Sequence, residues 1–257
     1  MLLALDAGNT NVTIGVFGDD RQLKARWRLR TIHDQTADEW GILILNLLSM
    51  SSLDVTAIDG IAICTVVPPI RTPLTEMAGR YFHVQPLFVS DDTDTGLTIC
   101  YENPHEVGAD RIVNSLAAFQ KFGGPCVVVD LGTAITFDAI SANAEYLGGI
   151  ICPGIGISTG ALFARTARLP MVDLRDPGKL IGTNTVGSIQ SGLFWGYIAL
   201  IDGLLEKLIG ELGPETKTVA TGGQAKLIFE SSKLLRHLDD DLTLEGLRIA
   251  WDRSRRR

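Results

Sequence analysis

The residues best suited to chemistry lie in a loop near the start of the chain, Asp6-Ala7-Gly8-Asn9-Thr10-Asn11, which follows an apolar run over residues 2–5 and leads into alternating Val12, Ile14, Val16 and Phe17. A carboxylate at the end of a buried strand, followed by a turn whose glycine lets the backbone approach closely, suits a metal-phosphate group. Exposed N–H groups and Thr or Asn side chains take phosphate oxygens, while the Asp holds the cation directly or through water. Taken alone, the hexapeptide reads as an Asx-Gly hairpin turn. The device recurs, because the strand-like run from Cys126 to Val129 enters Asp130-Leu131-Gly132-Thr133. A third glycine-rich turn, Thr221-Gly222-Gly223, follows another strand and suits a flat adenine or ribose packed on backbone. Three such loops point to one ligand.

The elements that must position these loops form two similar passages. In the first, strands are expected over residues 2–5, 12–17 and 24–31, a helix over 36–48 capped by Thr36 or Asp38, a buried strand over 58–67 ended by Pro68-Pro69, a helix over 70–81 and a short strand over 86–89. In the second, strands are expected over 126–129, 135–140 and 144–152. A long amphipathic helix over 185–208 carries Leu193, Tyr197, Ile201, Leu205 and Leu208 on one stripe. A final strand over 217–220 and helices over 224–229 and 244–251 complete the passage. Residues 2–14 and 126–138 share an apolar strand, an Asp at its end, a Gly two residues later and a hydroxyl nearby, which makes a duplicated strand-strand-strand-helix unit the economical explanation. The boundary falls at Phe122-Gly123-Gly124-Pro125, giving an α/β chain of two domains, 1–120 and 121–257, enclosing a cleft.

The bulk properties narrow the classes of function. Against 23 Lys plus Arg stand 30 Asp plus Glu, a formal charge of −7 on 257 residues, so nucleic acid is not expected as a partner. Arg253, Arg255, Arg256 and Arg257 form the one basic cluster evident in the sequence and read as a frayed, inert tail. Cys64, Cys100, Cys126 and Cys152 lack C-x-x-C spacing and read as buried free thiols of a reducing cytoplasm. No basic n-region precedes the first strand, and the longest apolar stretch, residues 41–48, is too short to span a bilayer, so no membrane partner is expected.

A further carboxylate, Asp110, follows the small pair Gly108-Ala109 and precedes Arg111 at the start of an apolar helix over 112–119. It reads either as a general base or as an N-cap with a neighbouring ion pair. His33, His83, His105 and His237 share no metal spacing, and His105 reads as a loop residue. Ser158, Ser188 and Ser191 sit in no G-x-S-x-G elbow. No Walker A sequence occurs, and no G-x-G-x-x-G at a strand-to-helix turn, so P-loop and Rossmann readings lack their anchor.

The paired loops resemble the acetate and sugar kinase, Hsp70 and actin superfamily, in which two ribonuclease-H-like (actin-like ATPase) lobes clamp ATP. Within it, the chain resembles type III pantothenate kinase, in order from residue 2 to about 250. The matching stretches are residues 6–11; Asn103-Pro104 with Val107 to Arg111; Asp130 to Asp138; Gly148-Gly149-Ile150 with Pro153-Gly154; Ala167-Arg168-Leu169-Pro170; Gly182-Thr183-Asn184-Thr185 with Ser188 and Ser191-Gly192; and Ala220 to Gly223. The chain departs from the family pattern at Ile135, where Thr is usual, and at Ala7, where a larger aliphatic residue is usual.

The resemblance implies transfer of the ATP γ-phosphoryl group to the primary hydroxyl of pantothenate, the first step of coenzyme A biosynthesis. It makes Asp110 the base that takes the hydroxyl proton. Asp6, Ala7, Gly8, Asn9, Thr10, Asn11, Val12 and Thr13 would cradle Mg-ATP, with Asp6 toward the magnesium, and Thr133 would touch the phosphates as well. Tyr101, Gly108, Ala109, Asp110, Arg111 and Thr185 would bind pantothenate. Asp130 would hold a monovalent cation, K⁺ or NH₄⁺. The family also implies a homodimer, with the long helix after Thr185 at the subunit contact. Two other readings of the same fold are a regulatory protein in gene expression and a chaperone or filament ATPase. The presence of Asp110 and Asp130 opposes the first, and the short chain opposes an Hsp70.

Overall fold

The computed structural model describes residues 1–166 and 168–256. Ala167 of the run 167–170 and Arg257 of the basic tail lie outside the described residues. The chain forms two compact units. One comprises Met1–Leu97, Glu102–Ala117 and Leu242–Arg257, the other Thr98–Tyr101 and Ala118–Asp241.

The first unit is built on a five-stranded sheet, order β3-β2-β1-β4-β5, from β1 (Leu2–Ala7), β2 (Asn11–Phe17), β3 (Leu23–Arg30), β4 (Gly60–Thr65) and β5 (Leu87–Phe88). Strand β1 is central, antiparallel to β2 and parallel to β4, and its apolar run is buried on both faces. Helices α1 (Ala37–Met50) and α2 (Arg71–Phe82) cover one face, packing Trp40, Ile44, Leu74 and Met77 on Leu3, Leu5, Ile14 and Ile63. Thr36 caps α1 in a capping box, accepting from the Glu39 N–H at 3.3 Å while Glu39 accepts from the Thr36 N–H at 2.7 Å. On the other face, α3 (Ala109–Phe122) and α7 (Leu242–Ser254) set Val113, Leu116, Leu244 and Leu247 against Leu2, Ala4, Ala62 and Cys64.

The second unit repeats this plan. Its strands are β6 (Thr98–Ile99), β7 (Cys126–Leu131), β8 (Ala134–Ile140), β9 (Glu145–Pro153), β10 (Lys217–Thr221) and β11 (His237–Leu238), in the order β11-β10-β7-β8-β9-β6. The central strands β7 and β8 show the same residue-by-residue burial as β1 and β2, and β7 is again antiparallel to β8 and parallel to β10. The duplication expected from two short motifs therefore extends to strand order and direction. The long helix α5 (Thr185–Leu212) lays Phe194, Ile198, Ile201 and Leu205 on Val127, Val129 and Phe137, beside the short α6 (Ala225–Phe229).

Several expectations differ from the structure. A division at 120/121 leaves the last helix with the second domain, whereas its apolar stripe Leu244, Leu247 and Ala250 groups it with the first unit. The strand over 217–220 is not the last, since β11 pairs beyond it. Helix α4 (Ile155–Ala164) was not anticipated, because its apolar residues follow no one-sided pattern and most of them are exposed. Of the four cysteines, Cys64 and Cys126 are buried, Cys152 is half-buried and Cys100 is exposed, all as free thiols. The tail is not frayed over its described part: Arg253 donates to the Asp94 carbonyl at 3.4 Å, and Arg255 pairs with Asp59 at 3.4 Å and lies over the Trp251 ring. Nor is it the only cationic cluster, since Lys24, Arg26, Arg28 and Arg30 alternate along the exposed side of β3.

Candidate active site

In the first unit, the alternation of β1 puts Leu2, Ala4 and Asp6 on one face, the face that α3 covers. Asp6 stands in register with Thr13 on β2 and Cys64 on β4. The Cys64 thiol donates to Asp6 Oδ1 at 3.3 Å. Because α3 lies on that face, its first turn carries Asp110 toward Asp6. Burial is the main cause that pushes the Asp6 carboxyl up to about 7, and the charge of Asp110 adds to it, while the Cys64 hydrogen bond and Arg28 pull the other way. Burial also raises the Asp110 carboxyl, opposed by the Arg111 N–H, which donates to Asp110 Oδ1 at 2.9 Å, and by the Arg111 charge. Asp110 is the second residue of α3, so the helix N-terminus favours its ionised form. Burial likewise holds the Cys64 thiol neutral.

The helix begins three residues earlier than expected and places Asp110 inside the first turn. That position weakens the reading of Asp110 as a simple N-cap. A Cβ on Gly108 would stand 2.5 Å from Asp110 Oδ1, so Gly108 is what leaves this carboxylate its place.

The loop between β1 and β2 is closed by the Gly8 N–H donating to the Asn11 carbonyl at 3.0 Å. Thr31, just past β3, donates its hydroxyl to the Gly8 carbonyl at 2.6 Å and its N–H to the Thr10 carbonyl at 3.0 Å. Thr65 Oγ1 donates to the Ala7 carbonyl at 3.0 Å. Asn9 and Thr10 are left exposed at the tip. Gly8 has an ordinary φ, and a Cβ there would meet only the Asn11 carbonyl at 3.4 Å, so no internal contact demands the glycine.

In the second unit, Asp130 occupies the position of Asp6, in register with Thr136 and Thr221. Gly132 closes a turn one residue tighter, its N–H donating to the Ala134 carbonyl at 3.1 Å. Glycines crowd this loop. Gly222, at φ 97°, packs on the Asp130 carboxylate with room for no side chain, and Gly154 does the same against the Gly132 and Thr133 carbonyls. A pocket of about 520 Å³ opens beside the third glycine turn, lined by Gly223, Gln224, Leu174 and Leu227 among others.

Tyr101 also belongs to this unit, because β6 pairs with β9 and the Cys100 N–H donates to the Tyr146 carbonyl at 2.8 Å. Its ring lies 6.3 Å from that of Tyr146, whose hydroxyl donates to the fully buried Asp138 at 2.8 Å. Thr185 is exposed at the first turn of α5, whose cap is Asn184, accepting from the Gly187 N–H at 2.8 Å. Thus Asp6, the 8–13 loop and Gly108 to Arg111 belong to the first unit, and Asp130, Thr133, Tyr101 and Thr185 to the second. The structure brings Asp6 and Asp110 together, 104 positions apart in the chain.

Sequence reasoning missed the Cys64 bond to Asp6, Asp138 with Tyr146, and the cations of β3. Only the last had a signal, the alternation Lys24, Arg26, Arg28, Arg30.

The family model for type III pantothenate kinase matches residues 2–207. The chain belongs to the type III pantothenate kinase family. It is similar to the type III pantothenate kinase of Solibacter usitatus (strain Ellin6076), 61% identical over 99% of this chain and 97% of that one. It is also similar to that of Koribacter versatilis (strain Ellin345), 55% identical over 99% and 96%. Among solved structures it resembles a ROK family glucokinase from Streptomyces griseus in complex with glucose and AMPPNP, with a TM-score of 0.55, 11% identity and coverage of 100% of this chain and 99% of that one. That likeness places the fold among the actin-like ATPases and sugar kinases. Type III pantothenate kinases are ATP-dependent enzymes of coenzyme A biosynthesis, and an ATP-dependent kinase implies magnesium.

The first unit suits that ion. Among the described residues no three His, Cys, Asp or Glu side chains gather into a cluster that could cage a metal. Two crowded carboxylates beside a loop of exposed amides and hydroxyls match an ion that keeps its waters and binds one or two carboxylates together with phosphate oxygens.

The raised Asp6 carboxyl fixes a sign. Between its ordinary 3.8 and about 7 the native chain holds a proton that the unfolded chain has lost, so stability falls as pH rises through that window. Replacing Asp6 by Asn removes the effect. Thermal melts without nucleotide or metal are expected to show the parent losing stability from pH 5 to pH 8 and Asp6→Asn losing less, with the variant the more stable at pH 8. Parallel pH profiles would contradict the raised carboxyl.

Proposed function

We propose that this chain transfers the γ-phosphoryl group of ATP to the primary hydroxyl of pantothenate, giving 4'-phosphopantothenate, with Asp110 as the base. The observation that carries the assignment is the placing of Asp110, in the first turn of α3, beside Asp6 at the first loop. Residues 6–13 offer backbone N–H groups and the Asn and Thr side chains to the phosphates, and Asp6 would hold the magnesium, which would supply positive charge to offset that of the phosphates. Asp110 orients the pantothenate hydroxyl and accepts its proton as the oxygen attacks the γ-phosphorus and ADP departs. Gly108, Ala109, Arg111, Tyr101 and Thr185 bind pantothenate, with Arg111 opposite its carboxylate. Thr133 donates to the phosphates. The adenine stacks on the backbone of Gly222 and Gly223 between Leu174 and Leu227.

The deciding experiment is ADP release with pantothenate beside glucose and acetate as rival acceptors. Pantothenate alone should be turned over. Asp110→Asn should lower kcat by about 10²- to 10⁴-fold with Mg-ATP binding and the melt preserved, and Leu227→Asp should raise the KM for ATP more than that for pantothenate. Faster release with a sugar would overturn the substrate, and undiminished turnover in Asp110→Asn would remove the base.

Asp130 is the proposed seat of a monovalent cation, K⁺ or NH₄⁺, because a strand-end carboxylate in a loop of closely packed peptide groups supplies oxygen donors to a large, weakly held ion. Potassium should stimulate turnover over sodium, and Asp130→Ala should abolish the difference. Equal parent rates in the two salts would sink this assignment.

A homodimer is proposed from the surface of the second unit. Most of the large apolar side chains left exposed lie between Leu147 and Val186, including Phe163 at 47%, Leu180 at 67% and Ile181 at 80%. Apolar side chains left exposed in such number call for a cover, and the site residue Thr185 falls within the same stretch of sequence. Light scattering should give twice the mass of 27.8 kDa, and Ile181→Asp with Phe163→Asp should return the single-chain mass. A parent of single-chain mass at micromolar concentration would refute the dimer.

A further inference from the structure

The four cations of β3 have no part in the scheme above. Three of them stand in register with the first loop and its strand: Arg30 opposite Asn11, Arg28 opposite Thr13 and Arg26 opposite Gly15. Thr13 is in turn opposite Asp6 on β1. Residues in lateral register share a face of the sheet, so Arg28 rises on the side of Asp6, and of Asp110 in the first turn of α3. Two strand spacings, roughly 10 Å, separate the Asp6 and Arg28 backbones, a gap that a long arginine stem largely covers.

The surroundings of these three arginines differ. Arg26 lies further from the loop, opposite Gly15, over which Leu244 of α7 packs. Arg30 flanks the half-buried Asn11 at the start of β2. Arg28 is exposed and, among the described residues, its guanidinium makes no hydrogen bond or ion pair. Its place against the loop is nonetheless fixed, because Thr31 ties the end of β3 to the carbonyls of Gly8 and Thr10. The Arg28 charge reaches Asp6, where it opposes the effect of burial. A polyphosphate laid on residues 8–13 would bring more negative charge to a place that already holds two carboxylates, and a guanidinium fork carried on the strand beside them can offset it with a pair of charge-assisted hydrogen bonds.

We propose that Arg28 is the cation of the first loop, its guanidinium donating to the terminal phosphate of the nucleotide above Thr13. This rests on the reading of the chain as an ATP-dependent kinase, and its test separates the two.

The parent, Arg28→Gln, Arg28→Lys and Arg26→Gln chains are titrated with AMP-PNP, ADP and adenosine in the presence of magnesium, by calorimetry or through the emission of the neighbouring Trp27. Arg28→Gln should weaken AMP-PNP by about 10- to 100-fold, the loss of a charge-assisted pair of hydrogen bonds. It should weaken ADP far less and leave adenosine unaltered. Arg28→Lys should recover part of the loss, since an ammonium keeps the charge without the fork, and Arg26→Gln should bind as the parent does. Because Arg28 is exposed, the melt of Arg28→Gln should coincide with that of the parent. AMP-PNP affinity within about twofold of the parent in Arg28→Gln would overturn the proposal. An equal loss for all three ligands would overturn it too, since that reports a distorted unit. A parent that binds AMP-PNP but turns over no pantothenate would fail the function proposed above while the binding comparison still judges Arg28.

Discussion

Two carboxylates brought to one side of one sheet, against its apolar core, cannot both ionise freely, and much of the first unit follows from that constraint. Burial raises both groups, and what separates them is their surroundings. Asp110 has a helix N-terminus, the Arg111 N–H and the Arg111 charge on its side, which oppose the effect of burial and favour its ionised form. Asp6 has the Cys64 thiol, a weak donor, and Arg28 at a distance. The asymmetry divides the work. The helix end and Arg111 favour the ionised form that a base needs, and the Asp6 carboxyl, pushed up to about 7, gives up its proton to an arriving cation.

The second unit uses the same five-strand order to a different end. Where Asp6 faces Cys64 across the parallel pair, Asp130 faces Thr221. Where α3 sets a second carboxylate beside Asp6, the glycines at 222 and 154 press the backbone onto the Asp130 loop. A carboxylate crowded by peptide groups is surrounded by dipoles, whereas one crowded by another carboxylate is surrounded by charge, and the two environments suit ions of different charge. A duplicated scaffold can diverge in this way without altering a strand, because the difference lies in what packs over each loop.

The duplication was legible in the sequence because it is local: strand, Asp, Gly and hydroxyl fall within a dozen residues, and periodicity carried the flanking elements. The meeting of Asp6 with Asp110 was not legible from spacing, since it depends on which sheet face α3 covers, and the choice is made by Val113 and Leu116 packing on Ala4 and Cys64. The grouping of the C-terminal helix with the first unit was hidden for the same reason. Helix α4 escaped because amphipathic patterning presupposes a core on one side and water on the other, and a helix whose apolar side chains are mostly exposed does not obey it. The family resemblance alone singles out Tyr101, and its attachment to the second unit through the two-residue strand β6 is too short a signal to read.

The cations of β3 admit a plainer account. The strand is an edge of its sheet, and edges are commonly guarded by charge against pairing with another chain. The second unit supplies the contrast: β9, the counterpart of β3, is covered by β6 and carries no Lys or Arg. Edge protection therefore accounts for a basic β3 as a whole. It is indifferent to register, however, and would be served as well by cations at any outward position of the strand. What it leaves unexplained is an unpartnered guanidinium opposite Thr13, in line with the one carboxylate that burial and a neighbouring charge hold protonated until near neutrality. That alignment is set by the β1, β2, β3 hairpin ladder itself, so a sequence that keeps the loop and the ladder brings this arginine to the loop whatever else guards the edge.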